Sequence, residues 1–285
     1  MSGSLHAISD LHVAFPENRR LLDEVRPASP DDWLIVAGDV AEYAADVEWA
    51  LSVLAERFRT VIWVPGNHEL WTPKDDPVTL RGAERYDHLV DTCRRLGVLT
   101  PEDPYPVWTG DDGAVTIAPL FLLYDYSFRA PGTHSTSESL RAAYESGVVC
   151  SDEFLLHPDP YPTREAWCRD RLAVTRERLD AIAGETVLVS HWPLLRAPTR
   201  VLHYPEFAQW CGTTASADWH LRYRARVAVY GHLHIPRTTW HDGVRFEEVS
   251  IGYPREHRVR GLPRGMMREI FPARSVSPAG RGPAW

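Results

Sequence analysis

The sequence predicts an α/β fold, because short apolar strands alternate with amphipathic helices along most of the chain. Its 285 residues are 44% hydrophobic and 25% charged, which is typical of a globular protein that can bury a substantial core. Five predicted strands also end in clusters of polar residues. Ligands bind at the carboxyl ends of strands in open α/β sheets, so this pattern predicts a functional site at one edge.

The alternation is clearest in the first hundred residues. The predicted strands are 5–9, 33–37 and 60–64, and the predicted helices are 17–26, 45–58 and 78–96. In the second helix apolar residues recur at helical spacing, at Val47, Ala50, Leu51, Leu54 and Phe58. The third helix is expected to end at Gly97, since glycine commonly follows the last turn of a helix.

The second half continues the pattern around one irregular segment. It contains predicted hairpins at 107–123 and 238–250, a helix at 164–183, and strands at 186–190 and 227–230. Residues 124–163 have no clear period and are expected to form an insertion or lid. We expect a single domain over residues 1–271 and a disordered tail over residues 272–285, which are rich in Pro, Gly, Ser and Arg.

Charge and hydropathy restrict the compartment and the partners. The formal net charge of -8 argues against general affinity for nucleic acid or anionic membranes. No apolar run approaches the ~18 residues of a membrane span, and the N-terminus lacks the basic and apolar regions of a signal peptide. We therefore expect a cytoplasmic protein without a membrane or nucleic-acid partner, whose oligomeric state the sequence leaves open.

The polar residues at the five strand ends form a candidate metal site. They are two carboxylates, one amide and four imidazoles: Asp10, His12, Asp39, Asn67, His191, His232 and His234. Seven such ligands exceed the needs of one tetrahedral zinc ion and suit two ions that share a bridging carboxylate, for which Asp39 is the expected residue. Nitrogen and oxygen ligation without thiolate favours divalent or trivalent Mn, Fe or Zn, and the ranking among them stays open.

These ligands belong to five short motifs that follow one another in a fixed order. The motifs are Asp10-Leu11-His12, Gly38-Asp39, Gly66-Asn67-His68-Glu69, Ser190-His191 and Gly231-His232-Leu233-His234. In this order they resemble the calcineurin-like metallophosphoesterase superfamily, and the resemblance runs from residue 10 to residue 234. It implies a four-layer αββα sandwich of two mixed β-sheets flanked by helices, with two metal ions at the carboxyl ends of the strands.

The resemblance also implies a role for each residue. One metal would be held by Asp10, His12, Asp39 and His234, and the other by Asp39, Asn67, His191 and His232. A metal-bridging hydroxide would attack phosphorus, and His68 would act as the general acid or as an electrostatic stabiliser. Where phosphatases of this superfamily often carry Asp or Asn, this chain has Glu42. We expect Glu42 to support His68 and raise its pKa; the alternative is a solvated glutamate at a helix start.

The sequence restricts the identity of the substrate less than it restricts the metal centre. Candidate contacts are Arg200 and Arg237, which could clamp a phosphate, together with Trp192 and Tyr126 near the site. We expect a phosphomonoesterase acting on a small phosphorylated metabolite, because the long insertion suggests a roofed pocket. The alternatives are a phosphodiesterase acting on a cyclic nucleotide or another diester, a diphosphate hydrolase, and a non-catalytic scaffold with the same fold.

Overall fold

Ten strands form two mixed β-sheets in the computed structural model, which describes residues 3–111, 113–262 and 266–272. The strands are β1 (Leu5–Ile8), β2 (Trp33–Val36), β3 (Thr60–Trp63), β4 (Val107–Gly110), β5 (Gly113–Pro119), β6 (Thr186–Val189), β7 (Ala225–Tyr230), β8 (Arg237–His241), β9 (Val244–Glu248) and β10 (Arg268–Phe271). The first sheet has the order β10-β1-β2-β3 and the second has the order β4-β5-β6-β7-β9-β8. Flanking helices complete the predicted α/β fold, which is thereby confirmed.

Within each sheet the central strands are parallel. Strands β1, β2 and β3 run parallel in the first sheet, as do β5, β6, β7 and β9 in the second, while β10, β4 and β8 are antiparallel to their neighbours. Parallel strands present their carboxyl ends at one edge. The polar residues that follow β1, β2, β3, β6 and β7 can therefore meet at one place.

The two sheets pack face to face and share a core. Val187 and Val189 belong to the apolar cluster between the sheets, whereas Leu188 packs with the cluster that extends to the helices. This alternation follows from the two-residue period of a strand. Strands buried on both faces read as continuous apolar runs, which is why the sequence shows them so clearly.

The helices cover the outer faces of the sheets. They are α1 (Pro16–Leu21), α2 (Ala44–Arg57), α3 (Asn67–Leu70), α4 (Gly82–Arg95), α5 (Thr136–Glu145), α6 (Asp152–Leu155), α7 (Arg164–Asp180), α8 (Trp219–Arg222) and α9 (Pro254–Arg260). Helix α2 buries Val47, Ala50, Leu51 and Leu54, as the spacing predicts. None of the helices in the described ranges is both long enough and apolar enough to cross a membrane.

Several boundaries differ from the prediction. Helix α1 ends at Leu21 and is followed by a single 3-10 turn over Leu22–Glu24, so it is shorter than predicted. Helix α4 begins at Gly82 rather than near residue 78, because the backbone N–H of Val78 donates to Asp76 and holds that segment in a turn. The segment 124–163 contains α5 and α6, and α9 and β10 are elements that were not predicted from the sequence. The tail predicted to be disordered lies outside the described residues from residue 273 onward.

Candidate metal centre

All seven predicted ligands meet at one end of the two sheets. Asp10 and His12 follow β1, Asp39 follows β2, Asn67 begins α3, His191 follows β6, and His232 and His234 follow β7. Six of the seven are buried and His234 is partly buried. The strand ends therefore converge as predicted, and both sheets contribute residues to the point at which they meet.

The ligand atoms fall into two groups that share Asp39. In the first, Asp10, His12, Asp39 and His234 offer atoms that all lie within 4.8 Å of one another. His234 Nε2 lies 2.9 Å from Asp10 Oδ1 and 3.3 Å from His12 Nε2. Asp39 is the only residue common to this group and the group that contains His191 and His232.

The second group also includes the amide of Asn67. Asn67 Oδ1 lies 3.2 Å from His191 Nε2 and 3.0 Å from His232 Nδ1, and these two ring nitrogens are 3.1 Å apart. Asp39 Oδ2 lies 3.4 Å from His191 Nε2. The two groups contain the same residues that the resemblance implies for the two metals.

The spacing of these donor atoms fits two cations. Ligands bound at about 2.1 Å are separated by roughly 3.0 Å in octahedral geometry and roughly 3.4 Å in tetrahedral geometry. The pair of nitrogens in each group lies 3.1 or 3.3 Å apart, within that range. The Nδ1 atoms of His191 and His234 face oxygen acceptors, so in the neutral rings the Nε2 lone pairs face the other ligands and are well placed for a shared cation.

The four imidazoles differ in the direction in which their surroundings shift the pKa. Burial lowers the pKa of His12 and brings that of His232 to about 3. Burial also opposes charge on the other two rings, but Asp39 raises the pKa of His191 to about 9 and Asp10 raises that of His234 to about 10. Cations binding here would displace protons from these two rings, since a metal-binding imidazole must be neutral.

The backbone at the ligands is unusual. Asp10, His12, Asp39, His232 and His234 all have positive φ, between 44° and 70°, although none is glycine. Such conformations cost of order 1–3 kcal/mol each and concentrate at functional sites. Each one turns the chain abruptly after a strand, where the side chains of the ligands meet.

Close approach of the loops requires glycine at two positions. A Cβ atom on Gly66 would lie 2.1 Å from Asp39 Oδ1, and one on Gly231 would lie 2.3 Å from Asp10 Oδ2. No side chain fits at these distances, because the obstructing atoms are buried carboxylate oxygens that cannot move away freely. The glycines of the third and fifth motifs therefore let the ligand loops pack together.

A ring of hydrogen bonds orients the ligands. Ser9 and Ser250 donate to Asp10 Oδ2 at 2.6 and 2.7 Å, which leaves Oδ1 facing His234. His191 Nδ1 lies 2.8 Å from the carbonyl oxygen of Ala37. Partners of this kind fix which ring nitrogen faces the metal.

Two carboxylates from distant parts of the chain complete this ring. Glu256 Oε2 lies 2.9 Å from His234 Nδ1, and Asp152 Oδ1 accepts a hydrogen bond of 2.9 Å from Asn67 Nδ2. The bond from Asn67 identifies its nitrogen and so turns its oxygen toward His191 and His232. Nothing local in the sequence marks Asp152, whereas Pro254 with Glu256 two residues later is a helix-start pattern that indicates α9.

Glu69 holds two of the ligand loops together. Its carboxylate accepts backbone N–H bonds of 2.9 Å from Gly66, Asp39 and Val40. The third residue of the Asn67-His68-Glu69 cluster is thus a support for the loops after β2 and β3.

His68 lies beside both groups, with its two ring nitrogens in different surroundings. Nδ1 is 2.8 Å from Glu42 Oε1, and Nε2 is 3.2 Å from the hydroxyl of Tyr253. Burial opposes the charged ring, but Asp39 and Glu42 raise the pKa of His68 above its usual value. The structure therefore places Glu42 where the sequence predicts it, and it adds Tyr253, which the sequence analysis missed.

Two of the predicted substrate contacts, Trp192 and Tyr126, do not line the cavities at the site. Trp192 is buried and packs edge-on against His191, with 5.2 Å between ring centroids. The hydroxyl of Tyr126 is bonded to Glu153 and Arg164. These two side chains serve packing and internal hydrogen bonding, because both rings are buried behind the ligands.

The two predicted phosphate clamps are also absent from the cavities at the site. Arg237 donates a hydrogen bond of 2.9 Å to the carbonyl oxygen of Pro198, and Arg200 is exposed. Neither lines the cavity over the metal centre or the groove beside it. Arg237 lies in the β8–β9 hairpin, where burial lowers the pKa of His241 and the charges of Arg237 and Arg200 lower it further.

Two neighbouring cavities lie at the centre. One, of about 220 Å³, is lined by Asp39, Asn67, His68, Phe207, His232, Leu233, His234, Tyr253 and Glu256. The other is a groove of about 510 Å³ lined by Phe15, Pro16, Glu17, Glu42, His68, Trp71, Tyr253, Pro254, Arg255 and Arg258. His68 and Tyr253 line both and mark the boundary between them.

The groove corrects the expectation of a roofed pocket. No described residue of the segment 124–163 lines either cavity. Asp152 in that segment instead supports Asn67 from behind, and its Oδ1 also accepts from Trp71 Nε1 at 2.7 Å. The long insertion packs beneath the ligands, so the site stays open on the side of α9.

The chain belongs to the calcineurin-like phosphoesterase family, whose model matches residues 4–236. It is therefore a metal-dependent hydrolase of phosphoric esters, as the order of the motifs predicted. The family model ends before α9, so Tyr253 and Glu256 reach the site from a part of the chain outside the match.

One relative is similar to this chain over nearly its whole length, in sequence and in structure. The chain is 57% identical over 277 residues to acyl-carrier-protein phosphodiesterase PptH of Mycobacterium tuberculosis, covering 96% of this chain and 85% of the relative. The crystal structure of phosphopantetheinyl hydrolase (PptH) from Mycobacterium tuberculosis matches with a TM-score of 0.93 and 56% identity, over 98% of this chain and 99% of that one. Both names favour the phosphodiesterase alternative over the phosphomonoesterase, and the first names a carrier protein rather than a small metabolite as substrate.

Proposed function

We propose that this protein is a phosphodiesterase that removes the phosphopantetheinyl group from an acyl carrier protein. The observation that carries the proposal is the 57% identity to a relative of that name, over 96% of this chain. The open groove supports it, because a protein substrate needs access that a roofed pocket would deny. His68 lies where this groove meets the metal centre.

In the proposed reaction a phosphopantetheinyl group is transferred to water. The oxygen of water forms a bond to phosphorus, the bond from phosphorus to the carrier's oxygen breaks, and that oxygen takes up a proton. The products are free phosphopantetheine and the carrier with its hydroxyl restored. The departing oxygen is an alkoxide, which is a poor leaving group unless it is protonated.

The metal ligands and the residues around His68 have different roles in this reaction. The two groups that share Asp39 would hold two cations, with Mn, Fe and Zn as candidates, which would neutralise phosphoryl oxygens and make water nucleophilic near neutral pH. His68 holds its proton at Nε2, directed toward the leaving oxygen. Glu42 at 2.8 Å accepts from Nδ1 and keeps the ring oriented, while Tyr253 bounds the other side of Nε2.

The test is hydrolysis of a carrier protein that carries the phosphopantetheinyl group. We expect the purified protein with added Mn²⁺ to reduce the mass of the carrier by that group, as read by intact-protein mass spectrometry. Parallel assays on a bis-aryl phosphate diester and an aryl phosphate monoester should show preference for the diester. Rapid turnover of the monoester with an unaltered carrier would restore the phosphomonoesterase interpretation.

Glu42→Gln should change the pH dependence of this activity. The general acid must be protonated, so activity is present below the pKa of His68 and is lost as the pH rises through it. Asp39 and Glu42 raise that pKa, and removing the charge of Glu42 should therefore move the alkaline limb of the kcat profile to lower pH. The profile is measured with the carrier as substrate.

Glu177→Gln, an exposed change on α7, is the matched control and should leave the profile in place. An alkaline limb at the same pH in Glu42→Gln as in the unmodified protein would show that Glu42 does not support the acid.

A further inference from the structure

Helix α9 forms a basic wall of the groove. Its seven residues include three arginines and one glutamate, a formal charge of +2, in a chain whose formal net charge is -8. The glutamate, Glu256, is occupied with His234. Arg255 and Arg258 line the groove, and both are exposed.

The two groove arginines differ in how far they are already neutralised. Arg258 is paired with Glu17 at 2.6 Å. Arg255 lies over the ring of Tyr253 at 4.9 Å and has no carboxylate partner within the described part of the chain. Arg255 is thus available for an acidic group of a partner.

Exposed apolar residues also lie on this face. Val259 is 89% exposed, and Leu262 and Phe15 are 42% and 41% exposed. A shallow depression of about 340 Å³ lies between α1 and α9 and is lined by Glu17, Leu21, Pro254, His257, Arg258 and Leu262. The groove and the depression share Glu17, Pro254 and Arg258, so the two are adjacent and a protein bound at one can reach the other.

The position of the general acid determines which part of the substrate lies in the groove. The acid must contact the leaving oxygen, and His68 lies where the groove begins, whereas the metal ligands line only the smaller cavity. Hydrolysis of a phosphopantetheinyl group makes the carrier's oxygen the leaving oxygen. The carrier therefore lies on the groove side, and the phosphopantetheine extends the other way, past Phe207 and Leu233 of the smaller cavity.

We propose that the outer face of α9, together with Phe15, is the docking surface for the body of the acyl carrier protein. The carrier segment around the modified hydroxyl enters the groove, a carboxylate of the carrier meets Arg255, and an apolar side chain fills the depression. This inference rests on the proposed function, and it identifies α9 as the element that selects a protein substrate. An apolar patch with a basic rim matches the usual anatomy of a protein interface.

The test compares two substrates in two docking variants. Arg255→Glu reverses the available charge, and Val259→Asp places a charge in the apolar part. For each we expect the ratio of kcat/KM on the phosphopantetheinylated carrier to kcat/KM on a bis-aryl phosphate diester to fall about tenfold, as for an interface hot spot. The carrier reaction, rather than the diester reaction, should also weaken with added salt, because rim charges steer association.

Arg176→Glu on α7 and Val149→Asp between α5 and α6 make the same chemical changes at exposed positions elsewhere and should keep the ratio of the unmodified protein. If both docking variants also keep that ratio while the carrier is hydrolysed, the docking surface is wrong and the proposed function stands. If the unmodified protein turns over the diester but never the carrier, the proposed function is wrong and this inference falls with it.

Discussion

Asp39→Asn is expected to lose both metal ions and to lower kcat/KM on the carrier about 10³-fold or more, since metal ions supply several kcal/mol of transition-state stabilisation. Asp39 is the one residue common to both ligand groups. Its two oxygens already point different ways, because Oδ1 accepts the backbone N–H of His68 and Oδ2 faces His191. An amide keeps the shape of the side chain but removes the charge and one of the two oxygen ligands.

Metal content per chain and the rise in melting temperature with added Mn²⁺ measure this loss directly. Ions that bind only the folded state raise its stability by mass action, so the rise should vanish when neither ion binds. Asp10→Asn is the informative comparison, since Asp10 belongs to one group only and its loss should spare the other ion. Two tightly bound ions in Asp39→Asn would contradict a shared carboxylate bridge.

His68→Gln is expected to separate substrates by their leaving groups. Loss of a general acid typically costs ~10²–10⁴-fold in rate, and this loss should appear in full on the carrier, whose alkoxide must be protonated as it leaves. A bis(nitrophenyl) diester should lose far less, because nitrophenolate leaves without a proton. The geometry behind this expectation is Nε2 at the junction of the two cavities, with Nδ1 held by Glu42 at 2.8 Å.

Both rate constants are measured at equal metal content, so that a change in metal binding is not mistaken for loss of the acid. His203→Gln, at an exposed histidine, is the matched control and should change neither rate. An equal loss on both substrates would mean that His68 stabilises the phosphoryl group and not the leaving oxygen.

The sequence predicted the metal centre more completely than the rest of the site. Each ligand is a polar residue within four positions of the end of a buried apolar strand, often beside a glycine that lets two loops touch. Parallel strands then bring these ends together regardless of the length of the helices between them. Asp10 and His234 thus meet across 224 positions of sequence with 2.9 Å between their ligand atoms.

The substrate side was predicted less well, because it depends on side chains with no local signature. Arg200 and Arg237 were chosen for their charge, yet one is exposed and the other is bonded to a backbone carbonyl away from the cavities. The segment 124–163 was expected to roof the site and instead packs beneath it. Length and irregularity identify an insertion, but they carry no information about the face on which it lies.

The sequence by itself determined the fold class and predicted which residues gather as candidate metal ligands with His68 beside them, since strand periodicity and motif order are properties of neighbouring residues. Only the tertiary structure decided that Glu256 and Tyr253 complete the centre and that the site opens toward α9. Those features depend on the few ångströms between elements that are far apart in the chain. Such distances are set by packing of the whole molecule, and no short stretch of sequence records them.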